Sequence, residues 1–201
     1  TVDRSRFQNN DITTTGYGIF RASDATVNVR NSTFSNNTGG GVLYDDGGRG
    51  SVFYSTFAGN ETYNVVVVAG AYAPVVISNN IFTSTDNVQS IFVHRDVERK
   101  TMVYSNLFYE TSGRGFANGR RVYNNTVLLN GTSWADENIT GNPRLANIDA
   151  DNLSLSRLTS AAIDEGKEIP MSPPPPSVTN DPITGEAACA QDFECINRGA
   201  R

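Results

Sequence analysis

Val52-Phe53-Tyr54-Ser55-Thr56-Phe57 decides the fold, because the chain keeps returning to it. The same signature reads Val2-Asp3-Arg4-Ser5-Arg6-Phe7, Val29-Arg30-Asn31-Ser32-Thr33-Phe34, Ile77-Ser78-Asn79-Asn80-Ile81-Phe82 and Val103-Tyr104-Ser105-Asn106-Leu107-Phe108. A sixth copy, Val122-Tyr123-Asn124-Asn125-Thr126-Val127, ends in Val instead of Phe. Successive anchors lie 27, 23, 25, 26 and 19 residues apart, so the period is loose while the signature is not. A repeat of this length is the mark of a solenoid. Any functional surface is then shared by several rungs, since each unit touches only its neighbours.

The unit reads as strand. Two residues before each anchor stands a small polar residue, in the column Ser5, Ser32, Ser55, Asn80, Asn106, Asn125. Such residues suit a tight bend between two strands. A second apolar run follows each anchor: Gly18-Ile19-Phe20, Gly41-Val42-Leu43-Tyr44, Val65-Val66-Val67-Val68, Ser90-Ile91-Phe92-Val93 and Gly115-Phe116-Ala117. No unit carries apolar residues at helical spacing for long enough to make a helix. Each coil is expected to hold two clear strands, with a short third around Gln8-Asn9 or Ser35-Asn36. Coils stacked at about 4.8 Å make a parallel β-helix, with an aliphatic ladder, a phenylalanine stack and an amide ladder running through it. A leucine-rich-repeat horseshoe competes on period, but the spaced leucines it needs are missing.

The chain resembles the right-handed parallel β-helix, pectin-lyase-like superfamily over residues 1 to about 166. Phe7-Gln8-Asn9-Asn10 and Phe34-Ser35-Asn36-Asn37, the latter followed by Gly39-Gly40-Gly41-Val42, also resemble the FxxN and GG-aliphatic repeats of chlamydial polymorphic membrane proteins. Asn142-Pro143-Arg144-Leu145, Leu153-Ser154-Leu155 and Ser160-Ala161-Ala162-Ile163-Asp164-Glu165-Gly166 resemble the closing coil of secreted β-helix proteins. The resemblance implies an all-β solenoid of about six coils with an irregular Pro-rich tail. It divides the chain into coils over 1–132, a closing segment over 133–169 and a tail over 170–201. The superfamily holds polysaccharide lyases, hydrolases and epimerases beside adhesins and other non-catalytic surface proteins, so the fold leaves function open.

Composition narrows the choice. The 201 residues suit one domain plus a tail, and the net charge is −5 without a basic cluster, which argues against nucleic acid. No apolar run approaches the roughly 18 residues of a membrane span, and none of the 201 residues read as a signal peptide. Because the start at Thr1-Val2-Asp3 falls inside a coil, the expectation is that the chain is part of a longer protein or that another molecule covers its first rung. Seven sequons, at Asn31, Asn36, Asn60, Asn124, Asn130, Asn138 and Asn152, are candidates for N-glycosylation. Asn-rich turns are expected of this fold in any case, and about four such triplets arise by chance. Cys189 and Cys195 read either as a short disulfide, implying an oxidising extracellular setting, or as two free thiols. Ser172-Pro173-Pro174-Pro175-Pro176-Ser177 reads as a polyproline strut or as a loop insertion.

In catalytic relatives, the resemblance implies, the groove lies outside the coil, on the strand and turn after each coil's glycine. There the chain offers Tyr44-Asp45-Asp46, and His94-Arg95-Asp96-Val97-Glu98-Arg99-Lys100. For an enzyme the candidates are Lys100 or Arg95 as base, with His94, Asp45 and Asp46 beside them. Neighbours such as Asp45 and Asp46 point to opposite faces of a strand and make a poor carboxylate pair. Asp45 and His94 fall in one column two rungs apart, roughly 10 Å by strand spacing. The further Asp, Gly-His-Gly and Arg-Ile-Lys motifs of the hydrolases, and the Lys, Arg and Glu set of the lyases, are missing. No cofactor or metal is implied. The second strands instead predict an outward apolar stripe of Phe20, Leu43, Val66 and Phe92, or in the alternative register of Ile19, Val42, Val65 and Ile91, to be covered by the segment 133–165, the tail or a second copy. The expectation is a non-catalytic extracellular or cell-surface module, partnered by copies of itself or by other domains of the same protein. The alternative is an enzyme, or its remnant, acting on an acidic polysaccharide.

Overall fold

The computed structural model describes residues 1–12, 18–72, 74–84, 90–110, 117–118, 121–148 and 152–155. The chain winds through three sheets in turn. Sheet A is Val2–Asp3, Thr26–Arg30, Arg49–Phe53, Val75–Ser78, Thr101–Tyr104 and Ala135–Asp136. Sheet B is Arg6–Gln8, Thr33–Ser35, Thr56–Ala58, Ile81–Ser84, Leu107–Glu110 and Ile139–Thr140. Sheet C is Gly18–Ser23, Gly40–Asp45, Val65–Val67, Ile91–Val93, Ala117–Asn118 and Val122–Tyr123. All pairings are parallel except the last in sheet C. The repeated signature therefore spans two strands, its first half in sheet A and its Phe half in sheet B. The glycine-led run is the third strand.

Register follows the columns read from sequence. Val2 lies opposite Val29, Val29 opposite Val52, Val52 opposite Ile77 and Ile77 opposite Val103. Phe7, Phe34, Phe57, Phe82 and Phe108 stack with ring centroids 5.0, 4.7, 5.1 and 5.3 Å apart. Phe34, Phe57 and Phe82 are fully buried. Stacking here is imposed by the strand spacing: rungs about 4.8 Å apart leave one ring thickness plus contact distance between identical side chains.

Sheets A and B meet at a bend of two residues. Its first residue adopts positive φ in every coil: Arg4 49°, Asn31 49°, Tyr54 52°, Asn79 59°, Ser105 54° and Glu137 54°. The second residue offers its N–H to the side chain of the next rung. Ser5 donates to Ser32 Oγ at 3.2 Å, Ser32 to Ser55 Oγ at 3.1 Å and Ser55 to Asn80 Oδ1 at 2.9 Å. Asn80 donates to Asn106 Oδ1 at 3.0 Å, and Asn106 to Asn138 Oδ1 at 3.1 Å. The amide side chains double the link, since Asn80 Nδ2 and Asn106 Nδ2 donate to the same oxygens.

The sixth member of that column is Asn138, and the expected Asn125 is elsewhere. After Ala117–Asn118 the chain reverses, so Val122–Tyr123 runs antiparallel. Asn125 then caps a five-residue helix, Thr126–Asn130, by accepting from Leu128 N at 2.8 Å. Val127, expected in the Phe stack, is 81% exposed. The rung after Thr101–Glu110 comes at 135–140: Ala135 opposes Val103, Ile139 opposes Leu107 and Thr140 opposes Phe108. Residues 135–140 thus add one more rung to sheets A and B. A hairpin of Leu145–Asn147 and Asn152–Leu155 follows. The remainder of the expected closing motif, Ser160–Gly166, and the tail with Cys189 and Cys195 lie outside the described residues.

A second amide column, unforeseen in the sequence, stands where sheet B ends. Asn10 N and Nδ2 donate to Asn37 Oδ1, and Asn37 N and Nδ2 donate to Asn60 Oδ1. Asn60 Nδ2 in turn donates to Phe34 O and to Asn64 Oδ1. The signal was an Asn three residues after Phe7, Phe34 and Phe57. Close approach explains the glycine that follows: a Cβ on Gly41 would lie 2.6 Å from the Phe57 ring and 2.7 Å from Asn64 O.

Across the core from sheet A, Tyr44 is fully buried and donates its hydroxyl to Val27 O at 2.9 Å and Ser51 O at 3.3 Å. Burial pushes its pKa well above the ordinary value near 10. Two outcomes follow. Phe57→Ala should cost about 3–5 kcal/mol in urea unfolding, because a mid-stack ring has neighbours on both sides that hold the cavity open. Above pH 10 the unfolded chain loses the Tyr44 proton and the native state keeps it. Stability should therefore fall by about 1.4 kcal/mol per pH unit there, and Tyr44→Phe should flatten that slope.

Candidate functional site: the outer face of sheet C

Strand alternation sorts sheet C into two sets of side chains. Phe20, Val42, Val65, Ile91 and Ala117 are in register, and Val42, Val65 and Ile91 are buried at 0–1% exposure. Arg21, Leu43, Val66 and Phe92 form the neighbouring register on the other face. Of the expected stripe, Leu43, Val66 and Phe92 share one register column, and Phe20 stands in the other. The Phe20 ring turns inward, edge-on to Phe7 at 5.0 Å and to Phe34 at 6.2 Å. The slip arises in the three consecutive glycines 39–41: Gly18 pairs with Gly40 and not with Gly41, which moves the whole strand by one residue.

Arg21 takes the place expected of Phe20 and brings charge to the top of the stripe. Its Nη2 lies 2.6 Å from Asp45 Oδ2, and its Nε donates to the same oxygen at 2.8 Å. Asp45 lies two residues beyond Leu43 and is 7% exposed, so its carboxylate is held by this one guanidinium at the margin of the apolar column. Asp46 sits beyond the strand end, at φ 24°, in solvent. Leu43 is 4% exposed, while Val66 and Phe92 are half-buried. Phe92 rests against Tyr63 with ring centroids 5.5 Å apart.

The second charged group is built differently. Tyr44, Val67 and Val93 are in register, so Asp45, Val68 and His94 follow one another in the next column, with Val68 between the two charged residues. His94 N donates to Val67 O at 2.7 Å, and His94 Nδ1 accepts from Asp96 N at 3.3 Å. Arg95 Nε lies 3.6 Å from Asp96 Oδ1, and both side chains are largely exposed. Arg99 and Lys100 close a short 3-10 helix, Glu98–Lys100, and are exposed. Among the described residues, Arg21 pairs with Asp45 and Arg95 with Asp96, each within its own group. Lys100, Arg95, His94, Asp45 and Asp46 thus occupy a strand, its end and a separate corner, without a shared centre.

The sequons divide by what their amides already do. Asn60 and Asn138 are buried, and their Nδ2 groups donate within the two ladders. Asn31 Nδ2 donates to Asp3, Asn36 Nδ2 to Ile148 O and Asn130 Nδ2 to Asn138 O. Asn124 and Asn152 are exposed. The Asn36 bond, with Ile148 also against Gly59, places the end of the first hairpin strand over the corner after sheet B. On this accounting Asn60→Ala should cost about 3 kcal/mol in chemical denaturation, because several buried partners are left unpaired. Asn124→Ala should stay within about 0.5 kcal/mol of the parent.

A family model described as "Right handed beta helix region" matches residues 2–131. No curated protein and no solved structure gives a match. The matched span covers five described passes through sheets A, B and C, and the parallel register of its strands is the architecture that the description names. The chain belongs to the right-handed β-helix family.

Proposed function

We propose that this domain is a rigid, non-catalytic structural and docking module of a larger extracellular or cell-surface glycoprotein, adhesive or filament-forming. The observation that carries the reading is the outer column of sheet C. Where a catalytic relative would need convergent acids and bases, this face carries Leu43, Val66 and Phe92. Its buried carboxylate, Asp45, is engaged by Arg21. The proposed partners are copies of the chain or neighbouring domains of the same protein. Long parallel sheets with internal ladders suit such work, since stiffness comes from every rung being bonded to the next.

One observation favours the alternative, action on or binding to an acidic polysaccharide. Asp45 Oδ1 is buried and without a hydrogen-bond partner, beside the guanidinium of Arg21 and on the same sheet face as the Tyr63–Phe92 ring pair. Incubation with pectin, alginate and chondroitin-type polymers decides between them. We expect no unsaturated or reducing-end product from any of the three. Turnover that disappears in Lys100→Ala or Asp45→Ala would replace the structural reading with the enzymatic one.

A further inference from the structure

Val122, Val127 and Leu128 are 46%, 81% and 41% exposed. They belong to one short stretch, the reversed strand Val122–Tyr123 and the helix Thr126–Asn130. Scattered apolar side chains on a surface need no explanation, but here three stand within seven residues of one another. In the middle of the stretch stands Asn124, first residue of the sequon Asn124-Asn125-Thr126. Its side chain is exposed, and its Oδ1 accepts from Asn125 Nδ2 at 3.4 Å. No described hydrogen bond uses its Nδ2, the atom that glycan transfer requires. Asn125 is meanwhile fixed to Leu128 N as the helix cap, so the turn that presents Asn124 is held in place.

We propose that Asn124 carries an N-linked glycan whose first sugars lie over Val122, Val127 and Leu128. The proposal rests on the extracellular reading above, because the donor is a lipid-pyrophosphate-linked oligosaccharide of a secretory pathway. Asn124 Nδ2 bonds to C1 of the donor's first sugar and gives up one proton. The C1–O bond breaks, and the lipid pyrophosphate leaves with the electron pair. The C–H faces of the attached sugars are apolar and suit aliphatic side chains, while their hydroxyls face water. Asn152 supplies the internal control. It is also exposed, but its neighbour Leu153 is buried, so a glycan there has no patch to cover.

The test is secretion of the chain from a eukaryotic host behind an appended signal peptide, with glycopeptides mapped by mass spectrometry on the folded fraction. Asn124 is expected to be occupied, and Asn60 and Asn138 empty. Enzymatic removal of the glycan after folding should raise ANS fluorescence and self-association in sedimentation. Asn124→Gln and Thr126→Ala should reproduce that rise, and Asn152→Gln should not. An unoccupied Asn124 in folded protein, or deglycosylation that leaves ANS binding unchanged, would overturn the proposal. Fractionation of the native source reads the extracellular assignment separately, so a protein found inside the cell would sink that assignment whatever the secreted chain does.

Discussion

Everything in this solenoid depends on how one backbone N–H is satisfied at the bend between sheets A and B. The residue before it takes positive φ, a conformation that costs a non-glycine residue roughly 1 kcal/mol or more, six times over. After such a turn the next N–H has no carbonyl above it in the ladder, and a buried donor left alone is expensive. The serine or asparagine oxygen of the following rung receives it. That single contact fixes the bend at two residues, and so places the aliphatic column and the phenylalanine column on adjoining walls of one core. The ladder also has direction, each rung giving its N–H to the next. At its C-terminal end Asn138 gives its own N–H to Asn130 Oδ1 at 3.0 Å. The excursion through residues 121–134 thus returns an amide to the position that a further rung would have filled.

Much of this was legible because identical residues stack on themselves. Val52, Ser55 and Phe57 each announce a column, and five repeats sufficed to show the register. The sixth rung misled because Val122-Tyr123-Asn124-Asn125-Thr126-Val127 imitates the pattern, whereas the residues that stack are eroded to Ala135, Ile139 and Thr140. The surviving signal was finer: an asparagine followed directly by an aliphatic, as in Asn80-Ile81, Asn106-Leu107 and Asn138-Ile139, which Asn125-Thr126 fails. The slip at Phe20 has a different cause. Glycine carries no side chain to alternate, so a run of three erases the phase of the strand that follows.

The outer face shows what sequence alone leaves unresolved. His94 through Lys100 is dense in charge and invited a catalytic reading, yet His94 and Arg95 both engage Asp96, Arg99 and Lys100 face solvent, and Glu98 is buried in the corner. Arg21, by contrast, drew no notice as an isolated residue, and it holds the buried carboxylate of the face. Likewise seven triplets of one pattern looked equivalent as text. Their amides separate only when the hydrogen bonds are assigned, since an asparagine in a ladder and one in solvent obey the same three-letter rule.

The fixed bend has a consequence for how such a chain can vary. Between Val and Phe the count is always five residues, from Val2–Phe7 to Val103–Phe108, while the distance from one anchor to the next wanders between 23 and 27 residues. After Phe108 it stretches to 32 before Thr140 takes the same register position. Length is therefore free at the corners flanking sheet C and frozen at the corner between A and B. An inserted loop, a grafted epitope or a duplicated segment can enter beside sheet C and leave the stacks aligned. One residue added between Val52 and Phe57 would turn sheet B inside out.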